Sequence, residues 1–171
     1  LEMFMPVERT TARKALGLPE SGKRYVVFGS AKSANPVKRR SLADAAIRRL
    51  QDRLPNVEML VATGYPHRMM PTVLSAADVA ICTSTAEGWP NFIKEALACN
   101  VPFVSTDVSD LSSIAAQEPS CRVVAPTVEE LSDALFETLN SPEPLDLRRH
   151  VASMSMATHA EQLIRIYRQL I

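Results

Sequence analysis

The sequence predicts an α/β fold, a doubly wound parallel sheet with helices on both faces. Three observations point there. Short β-forming runs alternate with amphipathic helical stretches along the whole chain. One of those runs, Asp78 to Cys82, is apolar without alternation, as in a strand buried on both faces. The loops that follow the strands are small and polar, and they fall where open α/β sheets bind ligands. At 171 residues and 46% hydrophobic, the chain is the size of one domain with a proper core.

Several classes of function are disfavoured at once. Nineteen basic and nineteen acidic residues leave a net charge of zero. No bulk field therefore recruits nucleic acid or an acidic membrane, and Lys38-Arg39-Arg40 is only a local basic cluster. No apolar run approaches the roughly 20 residues needed to cross a bilayer, and no signal peptide is visible. Cys82, Cys99 and Cys121 are odd in number and lack metal-type spacing, which predicts reduced thiols in a cytosolic core. The chain opens on Leu1, so it reads as a fragment or a processed product.

Taken in order, Leu1 to Pro6 has no clear periodicity and reads as a linker. Thr10 and Thr11 cap a short helix over Ala12 to Leu16 that stops at Gly17. Arg24 to Phe28 is the first strand, opening at Gly29 into a polar loop that runs to Lys38. Gly29 is the only glycine there, so the loop is neither a dinucleotide fingerprint nor a P-loop. Ser41 to Leu54 is a helix with Leu42, Ala46, Ile47 and Leu50 on one face. Val57 to Ala62 is the second strand. Gly64-Tyr65-Pro66 turns the chain into a helix over Arg68 to Ala76, with His67 a helix-start residue. Beyond Asn100 come a strand over Val101 to Ser105 and a helix over Leu111 to Ala116 capped by Asp110. Arg122 to Ala125 is the last strand. Thr127 and Glu130 form a capping box for a helix over Val128 to Leu139, and Ser141-Pro142-Glu143-Pro144 breaks it. Helices over Leu145 to Ala152 and Thr158 to Leu170 close the chain. The last carries Ala160, Leu163, Ile164, Tyr167 and Leu170 as one stripe, part of which is expected to be exposed.

The chemistry concentrates between Thr83 and Asn100. A small polar turn leads from the apolar strand into a helix whose first turn contains Pro90, where a missing N–H has no intrahelical partner to lose. Phe92, Ile93, Ala96 and Leu97 recur at helical spacing, and Asn100 can end the helix in the left-handed conformation. The first-turn N–H groups near Asn91, Phe92 and Ile93 are expected to lack backbone partners and so to receive an anion such as phosphate. Glu87 precedes this helix start, and Glu95 lies about 7–8 Å further along the axis than Pro90. Carboxylates repel phosphate but accept hydrogen bonds from sugar and ribose hydroxyls. A nucleotide diphosphate sugar fits the set.

These residues carry a resemblance. Glu87 and Glu95 with seven residues between them, together with Gly88, Pro90, Asn91 and Lys94-Glu95-Ala96-Leu97-Ala98-Cys99-Asn100-Val101-Pro102, strongly resemble the donor-binding domain of retaining glycosyltransferases of family 4. The likeness continues in Ser75-Ala76-Ala77-Asp78-Val79, Val104-Ser105-Thr106-Asp107-Val108 and Ile166-Tyr167-Arg168. It covers nearly the whole chain but only half of such an enzyme.

The resemblance implies a Rossmann-like C-terminal half of a GT-B glycosyltransferase. Residues 1–10 would be the interdomain linker. Residues 11–171 would be the donor domain with a C-terminal crossover helix, and an N-terminal acceptor domain would lie outside this chain. The full enzyme would transfer a hexose from a nucleotide diphosphate sugar to a hydroxyl acceptor, in the cytoplasm. Any association with the inner face of the membrane would run through the other half. Lys38, with Arg39 as the fallback, would contact the diphosphate, Glu95 the ribose and Glu87 the transferred sugar. Gly29, Tyr65, Gly88, Trp89, Pro90, Asn91, Phe92 and Ile93 would complete the donor site.

No cofactor and no metal are implied, since positive side chains and the helix start neutralise the leaving diphosphate. The chain departs from the family pattern at Ser30, where an arginine is common, and at Ser109, where glycine is usual. It also has one strand–helix unit fewer before Gly64, which makes it a compact variant. The departures keep a rival alive, a non-catalytic module of the same ancestry that binds nucleotide sugar or protein.

Overall fold

A computed structural model describes residues 2–29, 35–141, 146–154 and 156–169. Ser30, the Pro142-Glu143-Pro144 break, Leu145 and Leu170 lie outside the described residues. Five strands, β1 (Arg24–Phe28), β2 (Val57–Val61), β3 (Val79–Cys82), β4 (Phe103–Thr106) and β5 (Arg122–Val124), form one sheet in the order β2-β1-β3-β4-β5. Every pairing is parallel, with Val26 opposite both Met59 and Val79, and Ile81 opposite Val104. The three inner strands are buried along almost their whole length, and the edge strands β2 and β5 are only partly covered. The sheet is therefore the one expected from the sequence.

Among the described residues, seven α-helices accompany it: α1 (Arg9–Ala15), α2 (Arg40–Gln51), α3 (Met70–Ser75), α4 (Asn91–Ala98), α5 (Leu111–Ala115), α6 (Val128–Leu139) and α7 (Met156–Gln169). Because successive strand residues point to opposite faces, the core divides in two. Val26, Phe28, Val79, Ile81 and Val104 meet Ala46, Ile47 and Leu50 of α2 and Leu131 and Leu135 of α6. Tyr25, Val27, Ala80 and Phe103 meet α1, α3, α4 and α5 on the other face.

Several boundaries depart from expectation for local reasons. Glu8, not a threonine, caps α1. Its carboxylate accepts from the Thr10 and Thr11 amides at 2.9 and 2.7 Å. The Thr10 hydroxyl and these amides pull the Glu8 pKa down to about 2. Only half of the expected capping box on α6 forms. Thr127 accepts from Glu130 N–H, but the Thr127 N–H turns back to Ala125. Asp110 occupies the cap position of α5 without a side-chain cap bond. The described part of 146–154 holds two 3-10 turns, Arg148–His150 and Ala152–Met154, in place of the expected helix. Asn100 adopts φ +58 and ends α4 as expected, and its side chain accepts from the Leu147 and Arg148 amides.

The amino ends of the strands are tied by Asp78. Its carboxylate accepts from the Tyr25 N–H and from the Arg13 guanidinium, both at 2.7 Å. Arg9 and Arg24 approach at 3.4 and 3.5 Å. Asp78 and Arg13 are each only 5% exposed, so the pair is desolvated and its members depend on one another. On α7, Leu163, Ile164 and Tyr167 are each at least half exposed, and so is Ile166.

Asp78→Ala is expected to lower the unfolding free energy by about 3–5 kcal/mol, because it leaves Arg13 buried without its counter-charge. Urea unfolding followed by circular dichroism measures this, and a loss below about 1 kcal/mol would show that the pair is not a determinant of the sheet's stability.

Candidate functional site

The chain leaves β1 toward β2 and returns on the other side of β1 to form β3. The carboxyl ends of β1 and β3 therefore flank the point where the winding direction reverses, and a ligand crevice is expected there. Gly29 leaves β1, and residues 83–90 leave β3.

A reciprocal set of hydrogen bonds locks these segments. Arg39, held at φ +44, donates Nε to the Thr83 carbonyl at 2.6 Å and Nη2 to the Ser84 carbonyl at 2.9 Å. Thr83 Oγ1 donates back to the Lys38 carbonyl at 2.6 Å. Thr85 N–H donates to the Val37 carbonyl, and Thr106 Oγ1 adds a second bond to the Ser84 carbonyl at 2.7 Å. Arg39, expected as a fallback phosphate contact, thus commits two donors to the backbone of the β3 exit. Thr83, Ser84 and Thr106 were not singled out from the sequence. The run of small polar residues after β3 was the only signal for the first two.

This lock brings Lys38 and Glu87 together although they lie 49 positions apart. Lys38 Nζ donates to Glu87 Oε1 at 2.5 Å, and Ser84 Oγ donates to the same oxygen at 2.7 Å. Burial pushes the Glu87 carboxyl up. The hydrogen bonds from Lys38 and Ser84 and the lysine charge more than offset that, so it lies below its ordinary value.

Pro90 caps α4 instead of sitting in its first turn. With φ −70 and ψ 101 it is extended, and its carbonyl accepts from the Ile93 and Lys94 N–H groups. Ile93 therefore has a partner that the sequence reading did not foresee. No bond from the Asn91 or Phe92 N–H to an acceptor among the described residues occurs. Those two amides are the free positive end of the helix.

The Phe92 ring lies against Gly29. A Cβ on Gly29 would fall 2.2–2.6 Å from ring atoms, so this close approach is what demands glycine. The cleft between Phe28, Gly29, Lys38, Thr83, Pro90 and Phe92 encloses about 10 Å³, room for one water at most.

Glu95 lies one turn further along α4. Its Oε1 is 3.8 Å from His67 Nε2, although the sequence offered no nearby partner for that histidine. Glu95 is 19% exposed, and burial raises its carboxyl above the ordinary 4.5 despite the opposing pull of His67 and Lys94. Tyr65 and Trp89 are half-buried and pack on the core beside α3 and α4, and Lys94 Nζ lies 5.4 Å from the Trp89 ring centroid. Gly88 and Asn91 are exposed at the turn. Ser109 takes φ +57, a conformation that glycine adopts without strain. Cys82, Cys99 and Cys121 are free and buried, and burial pushes the thiols of Cys99 and Cys121 up to about 11. No group of three or more potential metal ligands occurs among the described residues.

The five-stranded parallel sheet, covered on both faces and with its candidate site at the β1/β3 reversal, is the Rossmann-like architecture of a GT-B glycosyltransferase C-terminal domain. The profile described as Glycosyl transferases group 1 matches residues 16–141, and the chain belongs to that family. Among named relatives, TuaC of Bacillus subtilis (strain 168), by name a teichuronic acid biosynthesis glycosyltransferase, is 31% identical over 91 residues. That match takes in 50% of this chain and 23% of TuaC.

Sucrose-phosphate synthase from Thermosynechococcus elongatus superimposes on 99% of this chain with a TM-score of 0.75 and 21% identity. Anabaena HepE, solved in complex with UDP-glucose, superimposes on 98% with a TM-score of 0.66 and 16% identity. At these identities the likeness is one of fold. The chain spans 50% and 55% of these two proteins.

Two outcomes follow. Gly29→Ala is expected to destabilise by about 1–3 kcal/mol through overpacking against Phe92. Adding Phe92→Ala should recover part of that loss in a double-mutant cycle, and additive effects would refute the contact. The raised Glu95 pKa means that the folded chain binds a proton more tightly than the unfolded one. Stability therefore falls as pH rises from about 4.5 through the folded value. Glu95→Gln should melt higher than the parent at pH 7, with the gap closing below about pH 4.5. An equal gap at both pH values would contradict a buried, reluctantly ionised carboxylate.

Proposed function

We propose that this chain is the donor-binding domain of a retaining glycosyltransferase that moves a hexose from a nucleotide diphosphate sugar to a hydroxyl acceptor. The observation that carries the reading is the convergence at the β1/β3 crevice. Lys38 meets Glu87 there, and α4, whose start at Pro90 and Phe92 lines the same cleft, carries two free amides and, one turn further on, Glu95. The family membership supports transfer, and the HepE complex supports a nucleotide sugar as the ligand class.

In this reading the diphosphate takes the Asn91 and Phe92 amides and becomes the new partner of Lys38. Glu87, released from Lys38, accepts from hydroxyls of the transferred sugar. Glu95 accepts from the ribose, with Tyr65 beside the base and Gly29, Gly88, Trp89, Pro90 and Ile93 shaping the walls. The Phe92 ring must withdraw from Gly29 for the ligand to enter. Stabilising the departing diphosphate by charge and fixed dipoles supplies much of the rate, with no metal required. The acceptor site and further catalytic groups belong to a preceding domain that packs on the exposed stripe of α7. Residues 1–10 are the connection to it. No described helix is long and apolar enough to cross a membrane. Any membrane contact, and a cytoplasmic setting for the enzyme, are part of the same proposal.

Calorimetric titration with the diphosphates of uridine, guanosine and adenosine and their sugars tests the donor site. One base should be preferred, binding should be lost in Glu95→Ala, and isotherms should superimpose with and without EDTA. The chain alone should give no transfer, and adding the preceding half should restore turnover with retained anomeric configuration by NMR. Binding without any turnover in the completed protein would favour the non-catalytic module instead.

A further inference from the structure

His67 is the residue that the functional reading leaves over. Its side chain is 70% exposed, yet it is held from two sides. The Phe4 ring meets it edge-on, with centroids 5.5 Å apart and an interplanar angle of 74°. Phe4 is itself 5% exposed, and its carbonyl accepts from Arg148, so the platform under the histidine is rigid. The other contact is Glu95 Oε1, at 3.8 Å from Nε2. The turn at Gly64, with φ +85, and the 3-10 turn His67–Met69 aim the imidazole at α4. A separation of 3.8 Å is long for a hydrogen bond and short enough for an ion pair. Groups that act on a ligand are often this loose before the ligand arrives.

Resting on the donor-site reading of Glu95, we propose that His67 is a positioning residue. It holds Glu95 Oε1 and leaves Oε2 to accept from the hydroxyls of a nucleotide ribose. Such a partner serves the chemistry. Burial works against the ionised carboxylate that a ribose needs as its acceptor, and His67 and, from α4 itself, Lys94 oppose that effect. A contact at one oxygen narrows the rotation of the carboxylate, which favours one direction for the free oxygen. His67 therefore contributes to selection for ribose over deoxyribose without touching the nucleotide.

The test is titration of the 171-residue chain with UDP, GDP and ADP, each beside its 2′,3′-dideoxy counterpart, using the parent, His67→Ala, His67→Gln and Glu95→Ala. Thermal melts confirm that each variant is folded. His67→Ala should bind the ribonucleotide about 5–10-fold more weakly and leave the dideoxy affinity unchanged, the size expected for a hydrogen bond to a charged group made less well. His67→Gln, which places an N–H near the Nε2 position, should recover part of the loss. Unchanged ribonucleotide binding in His67→Ala overturns the inference while Glu95→Ala still reports on the donor site. Equal loss for ribo and dideoxy forms also overturns it, since that is what a structural role produces. Full ribonucleotide affinity in Glu95→Ala, or no binding of any nucleotide by the parent, removes the Glu95 reading and this inference with it.

Discussion

The exit of β3 depends on one reciprocal interaction. The Arg39 guanidinium takes the carbonyls of Thr83 and Ser84, and the Thr83 hydroxyl returns to the carbonyl of Lys38. Thr83 and Ser84 are 1% exposed, so their carbonyls have no access to water. Leaving one unpaired costs about 1–3 kcal/mol. Thr106 supplies the Ser84 carbonyl with its second donor, which joins β4 to the same lock. Through this set, residues 37–39 and the turn that leaves β3 become one unit. Lys38, Glu87 and the α4 start owe their relative positions to it.

The groups gathered there are held at some cost to the resting fold. Burial opposes the ionisation of both Glu95 and Glu87, and at Glu87 the hydrogen bonds from Lys38 and Ser84 outweigh it. Lys38 and Glu87 satisfy one another while Phe92 closes over Gly29. Such an arrangement suits a site that exchanges internal partners for those of a ligand. The Lys38 and Glu87 charges are compensated before binding, and the amides of Asn91 and Phe92 are already oriented by the helix start. Asp78 and Arg13, at the opposite ends of the strands, are a contrasting case. There a buried charge pair is fully bonded and tied to the backbone of β1, and it stabilises without being exposed to exchange.

Much of this was legible in the sequence because it rests on local rules. The run Val79 to Cys82 has no alternation because both faces of a central parallel strand are covered, and β1, α6 and the end of α4 at Asn100 follow from β-propensity, a cap and a tolerated left-handed residue. Glu87, Glu95 and the start of α4 could be named because strand, turn and helix are contiguous there. Ser109 stands at positive φ, which gives a conformational reason for the glycine that the resemblance led one to expect.

What the sequence determined by itself was therefore the order of the strands and most helices, the parallel doubly wound sheet and the strand–turn–helix stretch that carries the candidate site. Tertiary structure alone decided which side chains share that place. The pairing of Lys38 with Glu87, the capture of Arg39 by the β3 exit, the ring of Phe92 over Gly29 and the approach of His67 to Glu95 all join segments far apart in the chain. Propensity, capping and periodicity act over a few residues. Contacts across the crevice are set by where a parallel sheet brings the carboxyl ends of β1, β2 and β3, and no local pattern records that distance.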